Sequence, residues 1–290
     1  MKILDSHLHL WDLSSHAWYP AMQDTDASKP FESLGDVTRM ASDYLPEQLR
    51  ADLGDLELVG AVHVSAVSAP RVHVDEARWL NGVLDQLGVP AVTVGALEAG
   101  QSRAEMEADL DAQAEGGRLR GVRVLAGIDP ELEAAETLCS LLEERGLVFD
   151  LVTQPAAVPA YRKLLERHPG LAVVLEHAGW PEGTGEEEAA RWREAIRGLA
   201  EHPNVSCKLS GVGMATHSLS LESQRPWLEA CIEAFGAERC MYGSNFPVDR
   251  MYGEYGELMD TMRAVTDGLS QAERDAIFVE TARRVYRVGA

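Results

Sequence analysis

Eight short apolar runs recur along this chain of 290 residues, and amphipathic stretches separate them. The runs are ILDSHLHLW (3–11), VGAVHVSAV (59–67), VPAVTVGALE (89–98), LRGVRVL (119–125), GLVFDLVT (146–153), LAVVLEHAG (171–179), NVSCKLSG (204–211) and CMYGSNFP (240–247). Between them lie helical patterns such as YRKLLERH (161–168), RWREAIRGLA (191–200) and PWLEACIEAFG (226–236). Strands that alternate with helices run parallel, because each crossover helix returns the chain to the same edge of the sheet. Eight such units over this length predict an α/β fold closed into a (β/α)8 TIM barrel, with a doubly wound open sheet as the alternative. No composition shift marks a second domain, so residues 1–290 read as one barrel domain. The 46% hydrophobic content is enough to fill its core.

Two spacings break the rhythm. The connection after the first strand, residues 11–58, is about twice as long as the others. It holds SSHAWYPAMQDTDASKPFESLGD and then a helical pattern around PEQLRADL (46–53). A long loop at the mouth of a barrel usually serves function; His16, Trp18 and Tyr19 on it are candidates to meet a substrate. The second break, GWPEGTGEEEAA (179–190), is a Gly-rich turn into a helix whose acids Glu186 to Glu188 suit the positive end of the helix dipole.

A formal charge of −21 opposes a nucleic-acid partner, which needs clustered cations. It leaves a small substrate open, an anionic one included. Cys139, Cys207, Cys231 and Cys240 are scattered without a CxxC pair, which fits a reducing cytoplasm better than a disulfide framework. No export signal or membrane-spanning run is visible, and a homo-oligomer stays open.

The residues able to carry chemistry gather at the ends of the predicted strands. His7 and His9 are two apart on strand one and, with Asp5, project to one face. Such a pair suits a divalent metal, or equally two imidazoles hydrogen-bonded in a polar core. His177 closes strand six. Arg123 ends strand four, Asp150 lies on strand five and Lys208 on strand seven. The two cations can grip substrate oxygens or belong to internal ion pairs. His63 and Ser65 face inward together from strand two. Glu176, as the strand neighbour of His177, is expected to point away from it. No GxSxG elbow and no P-loop occurs, so serine-nucleophile and nucleotide-phosphate chemistry lack a motif.

Taken in order, DSHLHLWD, RGVRVL, FDLVTQP, VVLEHAGWP, PNVSCKLSG and RCMYGSNFPVD, closing with ARRVYRV, resemble the amidohydrolase-related hydrolases. More narrowly, they are similar to the branch of L-fuconolactone-type sugar lactonases and 2-pyrone-4,6-dicarboxylate lactonase, from Ile3 to Val288. The resemblance implies a distorted (β/α)8 barrel with its site at the C-terminal ends of the strands. In amidohydrolases generally the HxH of strand one, a histidine late in the barrel and a strand-eight Asp bind one or two metals. In the lactonase branch the same positions can work without metal: the histidines polarise the lactone carbonyl and the Asp activates water. His7, His9 and His177 match these positions. The Asp expected at the third place of GSDWP is Asn245 here, and asparagine cannot take a proton at neutral pH.

The reading that follows is a hydrolase acting on ester bonds, opening a small lactone or related cyclic ester with no cofactor required. His7, His9, His177, Asn245 and Asp249 form its catalytic set. His63, Arg123, Lys208, His16, Trp18 and Tyr19 hold substrate. In place of the missing Asp, the proton acceptor would be Asp249, Asp5 or a histidine, or Asn245 would orient water. The alternatives are a metal-dependent decarboxylase of the same superfamily, with zinc or manganese on His7, His9 and His177, and a ligand-binding barrel without turnover.

Overall fold

The structure is a computed structural model and describes residues 1–23, 34–66 and 71–290. Eight parallel strands pair in chain order: β1 (Lys2–Leu8), β2 (Glu57–Val64), β3 (Ala91–Ala96), β4 (Leu119–Arg123), β5 (Val148–Leu151), β6 (Val173–Leu175), β7 (Val205–Leu209) and β8 (Cys240–Tyr242). A helix follows each: α1 (Pro46–Leu53), α2 (His73–Asp85), α3 (Arg103–Ala114), α4 (Glu133–Arg145), α5 (Val158–Glu166), α6 (Glu186–Ala200), α7 (Leu221–Phe235) and α8 (Tyr255–Thr266). The predicted barrel is therefore observed, and the open-sheet alternative falls. Among the described residues no helix is long and apolar enough to cross a membrane. All four cysteines are free and buried.

The strands are shorter at their C-terminal ends than the apolar runs that announce them. The run 171–179 yields Val173–Leu175, and 240–247 yields Cys240–Tyr242. The segments past these strands remain buried at the barrel mouth, so hydrophobicity outlasts strand pairing. Val67, at the end of the second run, and residues 24–33 of the first loop lie outside the described residues. Pro226, expected near the start of its helix, sits inside α7, which begins five residues earlier at Leu221. Glu186 to Glu188 do occupy the first turn of α6.

Barrel closure falls to the chain just beyond β8. The Asn245 amide donates to the His7 carbonyl (2.7 Å) and the His9 amide to the Phe246 carbonyl (2.8 Å). Asp5 completes the seam, its Oδ1 accepting from the Ser244 amide at 2.9 Å and from its neighbour His7 at 3.2 Å. Its Oδ2 accepts from the Tyr255 hydroxyl of α8 at 3.2 Å. The expected alignment of Asp5 with the two histidines does not hold. A register irregularity between Asp5 and Leu8 breaks the alternation, and Asp5 stitches strands while His7 faces the site. Both oxygens of Asp5 are engaged in hydrogen bonds, and burial raises its carboxyl to about 6.

The lower end is closed by the C-terminus. Helix α9 (Thr281–Tyr286) buries Tyr286 completely, and Val288 packs against Gly60 of β2.

Gly243 lies where β8 crosses β1. A methyl group there would stand 2.8 Å from the His7 Cβ and 3.2 Å from the His7 nitrogen. Both neighbours belong to a paired strand and have little room to yield. Gly243→Ala is expected to cost on the order of 2 kcal/mol and to lower the melting temperature by about 5 °C. A thermal melt followed by circular dichroism checks this, and a melt identical to wild type would show that the seam relaxes freely.

Candidate active site

Above the strand ends three imidazoles meet. The His7 ring lies 5.0 Å from that of His9 and 4.4 Å from that of His177, centroid to centroid. His63 stands edge-on to His9 at 6.3 Å. His177 reaches this cluster by an unusual route. It lies two residues past β6, and His177, Ala178, Gly179 and Trp180 all have positive φ, from 47° to 71°. Three non-glycine residues in that region cost roughly 1–3 kcal/mol each, a strain typical of functional turns. The turn is tied down by the Trp192 indole of α6, which donates to the Ala178 carbonyl at 2.7 Å. Gly211 makes room for the result: with φ of 61°, a Cβ there would sit 2.3 Å from the His177 Nδ1.

This turn overturns the expectation for Glu176. Strand alternation carries Glu176 inward, in step with Val174 and its neighbour Asp150, and the left-handed turn then swings His177 back to the same side. The Glu176 Oε2 lies 3.6 Å from the His177 Nε2, and its Oε1 lies 3.8 Å from the His7 Nδ1. Both carboxylate and imidazoles are fully desolvated.

Arg123 and Lys208, expected to hold substrate oxygens, are each paired with a carboxylate. Arg123 donates to Glu176 at 3.0 Å, and its guanidinium also grips the Ser65 carbonyl, with Nε at 2.8 Å. Lys208 meets the Asp150 Oδ1 at 3.1 Å, where the Tyr286 hydroxyl also donates at 2.6 Å. The Lys208 ammonium further lies 3.4 Å from the His7 Nδ1. Burial would raise the Glu176 carboxyl, but Arg123 and Lys208 hold it below the ordinary range. Burial pushes Asp150 up to about 6, against the pull of Lys208.

The histidines are neutral at pH 7. Burial depresses them all, taking His177 to about 3 and His63 to about 4, with Arg123 adding to both. His7 falls well below its usual value through burial and Lys208, and His9 through burial and Arg123. Their partners then fix the tautomers. The Lys208 ammonium can only donate, so the His7 Nδ1 accepts and the proton sits on Nε2, which has no partner among the described residues. His9 does the reverse: its Nδ1 donates to the Val64 carbonyl at 2.7 Å, leaving Nε2 as a lone pair. His177 Nδ1 meets the Ser210 hydroxyl at 3.1 Å, and the Glu176 carboxylate favours a proton on its Nε2.

Asn245 and Asp249 form a buried pair at the end of β8. Asn245 has φ of 55°, a conformation asparagine tolerates well. Its Nδ2 donates to the Asp249 Oδ1 at 2.9 Å, and the Asp249 amide returns a bond to the Asn245 carbonyl at 3.0 Å. The Asp249 Oδ2 has no partner among the described residues, and burial raises this carboxyl to about 7 despite the Asn245 amide. Asp249 and His177 border the same short loop: a Cβ on Gly213 would lie 3.4 Å from the Asp249 Oδ1, as one on Gly211 would touch His177.

The first-loop candidates divide. His16 stacks on Trp18 at 3.9 Å, and both stand against Trp79 of α2. Tyr19 is buried, and its hydroxyl donates to Glu76 at 3.1 Å, which commits that group within the protein. The hydroxyl binds a carboxylate that Ser65 also caps, and Tyr19 packs on Trp11, which stacks over His9 at 6.0 Å. The His63 Nε2 lies 3.2 Å from the Leu10 carbonyl; a carbonyl only accepts, so Nε2 carries the proton. Glu76, Tyr286 and Trp180, whose ring stands 5.4 Å from His177, were not legible as site neighbours. Each sits in a helix or turn whose pattern reads as ordinary packing.

The donor set His7, Glu176 and His177 fits a zinc ion by type and spacing. One donor atom from each lies within 4.8 Å of the others, and the Glu176 Oε1 lacks a hydrogen-bond partner. Glu176 takes the place that the sequence reading gave to His9.

The comparisons agree with this architecture. A 33% identical relative from Sinorhizobium fredii, the uncharacterized protein y4mH, is matched over 99% of both chains. The L-fucono-1,5-lactonase of Burkholderia ambifaria is 30% identical, over 88% of this chain and 83% of its own. A crystal structure of an amidohydrolase from Burkholderia multivorans with bound zinc superposes with a TM-score of 0.81 at 29% identity, covering 99% of this chain and 100% of that one. The Amidohydrolase family model matches residues 4–288, and the chain belongs to that family.

Proposed function

We propose that this protein is a hydrolase that opens a small, uncharged lactone at the mouth of the barrel. The observation that carries the reading is that the His7 Nε2 and the Asp249 Oδ2 are both buried without a hydrogen-bond partner among the described residues. The first suits a carbonyl oxygen that becomes an oxyanion; the second suits the water that attacks it. The likeness to L-fucono-1,5-lactonase supports the choice of a lactone.

In this reading the His7 Nε2–H, with the His177 Nε2–H beside it, donates to the lactone carbonyl oxygen. Asp249 takes a proton from water through Oδ2 as the water oxygen bonds to the carbonyl carbon. Asn245 holds the other oxygen of Asp249 and so fixes the direction of the free one. When the tetrahedral intermediate collapses, the ring C–O bond breaks and the leaving alkoxide takes the proton back from Asp249. Lactone and water become a hydroxy acid, and the carboxylate is restored. Zinc, if bound by His7, Glu176 and His177, would supply Lewis-acid polarisation of the carbonyl and acidify a water.

Charge argues for a neutral substrate over the anionic one the composition leaves open. Arg123 and Lys208 are already balanced by Glu176 and Asp150, so neither is available to a substrate carboxylate without leaving a buried charge unpaired.

Hydrolysis measured across neutral sugar lactones and carboxylated pyrones, with and without chelator, tests the reading. Turnover of neutral lactones is expected, with His177→Ala losing roughly 10²-fold or more in kcat. Inactive wild-type protein across the panel, or a fully active His177→Ala, would sink it.

Asp249 yields a prediction with two opposite signs. Its rate contribution requires the carboxylate, so kcat/KM should rise with pH through about 7. Its stability contribution runs the other way. The folded protein binds a proton that the unfolded chain releases near 3.8, so stability falls as pH climbs from there through about 7. Asp249→Asn should therefore lose about 10²–10⁴ in rate yet melt higher than wild type at pH 8. A variant that loses both activity and stability at pH 8 would mark Asp249 as structural.

A further inference from the structure

We propose that Lys208 is a tethered cation, an ammonium held where a metal ion would otherwise sit, which keeps zinc from binding tightly to His7, Glu176 and His177. Its Nζ lies 3.4 Å from the His7 Nδ1, the atom that is itself 3.8 Å from the Glu176 Oε1. A cation bound at the His7 Nδ1 would stand close to the ammonium. Like charges at such separations in a desolvated site repel strongly.

The ammonium is anchored from two further elements. Asp150 on β5 accepts from it at 3.1 Å, and Tyr286 of α9 donates to the same Asp150 oxygen at 2.6 Å while offering its ring face to the ammonium at 5.2 Å. Lys208, Asp150 and Tyr286 are all fully buried. The C-terminal plug of the barrel thus sets the position of a charge beneath the candidate site. The site's charges already cancel: Arg123 and Lys208 against Glu176 and Asp150. A divalent ion would add charge that nothing among these groups compensates. The strand-eight position, which could have supplied a further anion, is Asn245, whose amide is committed to Asp249.

The proposal concerns zinc and the lysine, and zinc binding is read directly, so its outcome is independent of lactone turnover. Zinc affinity is measured by competition with a chromophoric chelator for wild type and for Lys208→Met combined with Asp150→Asn. The double variant removes the ion pair as a unit and leaves a side-chain amide whose oxygen can still accept from Tyr286. Tightening of zinc binding by about tenfold or more is expected in the double variant. Equal affinity in a double variant that keeps the wild-type circular dichroism spectrum would overturn the proposal. Nitrogen-15 NMR of the histidines in zinc-free wild-type protein gives a second reading that needs no variant. Lys208 donating to the His7 Nδ1 requires the Nε2–H tautomer; an Nδ1–H tautomer at His7 would overturn it even if the double variant fails to fold.

Discussion

Closing the seam between β8 and β1 is the constraint on which both fold and site depend. β8 pairs over only three residues, so the barrel is finished by irregular chain beyond it. The residues that do this are Ser244, Asn245 and Phe246, bonded to Asp5, His7 and His9. Backbone of the candidate catalytic groups therefore forms the last rung of the sheet. A displacement of that rung would move His7 relative to Asn245, and so the proposed oxyanion donor relative to Asp249, the proposed base that Asn245 holds. This explains why a buried carboxylate, Asp5, is spent on two backbone amides and a tyrosine hydroxyl instead of on chemistry. Its Oδ1 ties Ser244 and His7 together across the seam, and Tyr255 fastens it to α8.

Electrostatics at the mouth follow from the same closure. The side chains there are buried, so an ionisable group is favoured when it is neutral or paired. The imidazoles take the first course and the two cations the second. The result is a site that presents neutral hydrogen-bond donors and acceptors in place of net charge. Two carboxylates depart from the pattern. Asp5 is held by amides and a hydroxyl, and burial raises it to about 6; Asp249 has a neutral amide for a partner, and burial leaves it poised near 7, where it can gain and lose a proton. Burial costs stability at that position, and strain costs more at His177, Ala178 and Trp180, whose positive φ values bring the imidazole in. Packing elsewhere in the barrel carries both.

How far the sequence spoke depended on whether regular geometry continued to the residue in question. Eight apolar runs disclosed the barrel because strand and helix periods differ plainly. Arg123, Asp150 and Lys208 could be placed because they lie on strands, where alternation sets direction. Asp5 and Glu176 could not, for the alternation rule fails at a register shift in β1 and at the left-handed turn after β6. His177 does join the cluster as expected, by way of that turn and not as a strand residue, and so Glu176 and His177 share one side. Tyr19 and Tyr286 were opaque for another reason. A tyrosine in a loop or a terminal helix carries no mark of the buried carboxylate its hydroxyl will meet, Glu76 in one case and Asp150 in the other.

The asparagine at position 245 then takes on a physical meaning. An aspartate there would stand four residues from Asp249 with its side chain against it, and two buried carboxylates at hydrogen-bond distance cannot both be ionised. Asparagine removes that conflict. It donates where aspartate would repel, and it leaves a single carboxylate in the pair with one oxygen fixed and one free. An asparagine at this position thus suits the proposal that Asp249 acts as the base. Position and protonation are coupled: the amide that orients Asp249 also draws its pKa downward, against a burial that would otherwise hold it protonated.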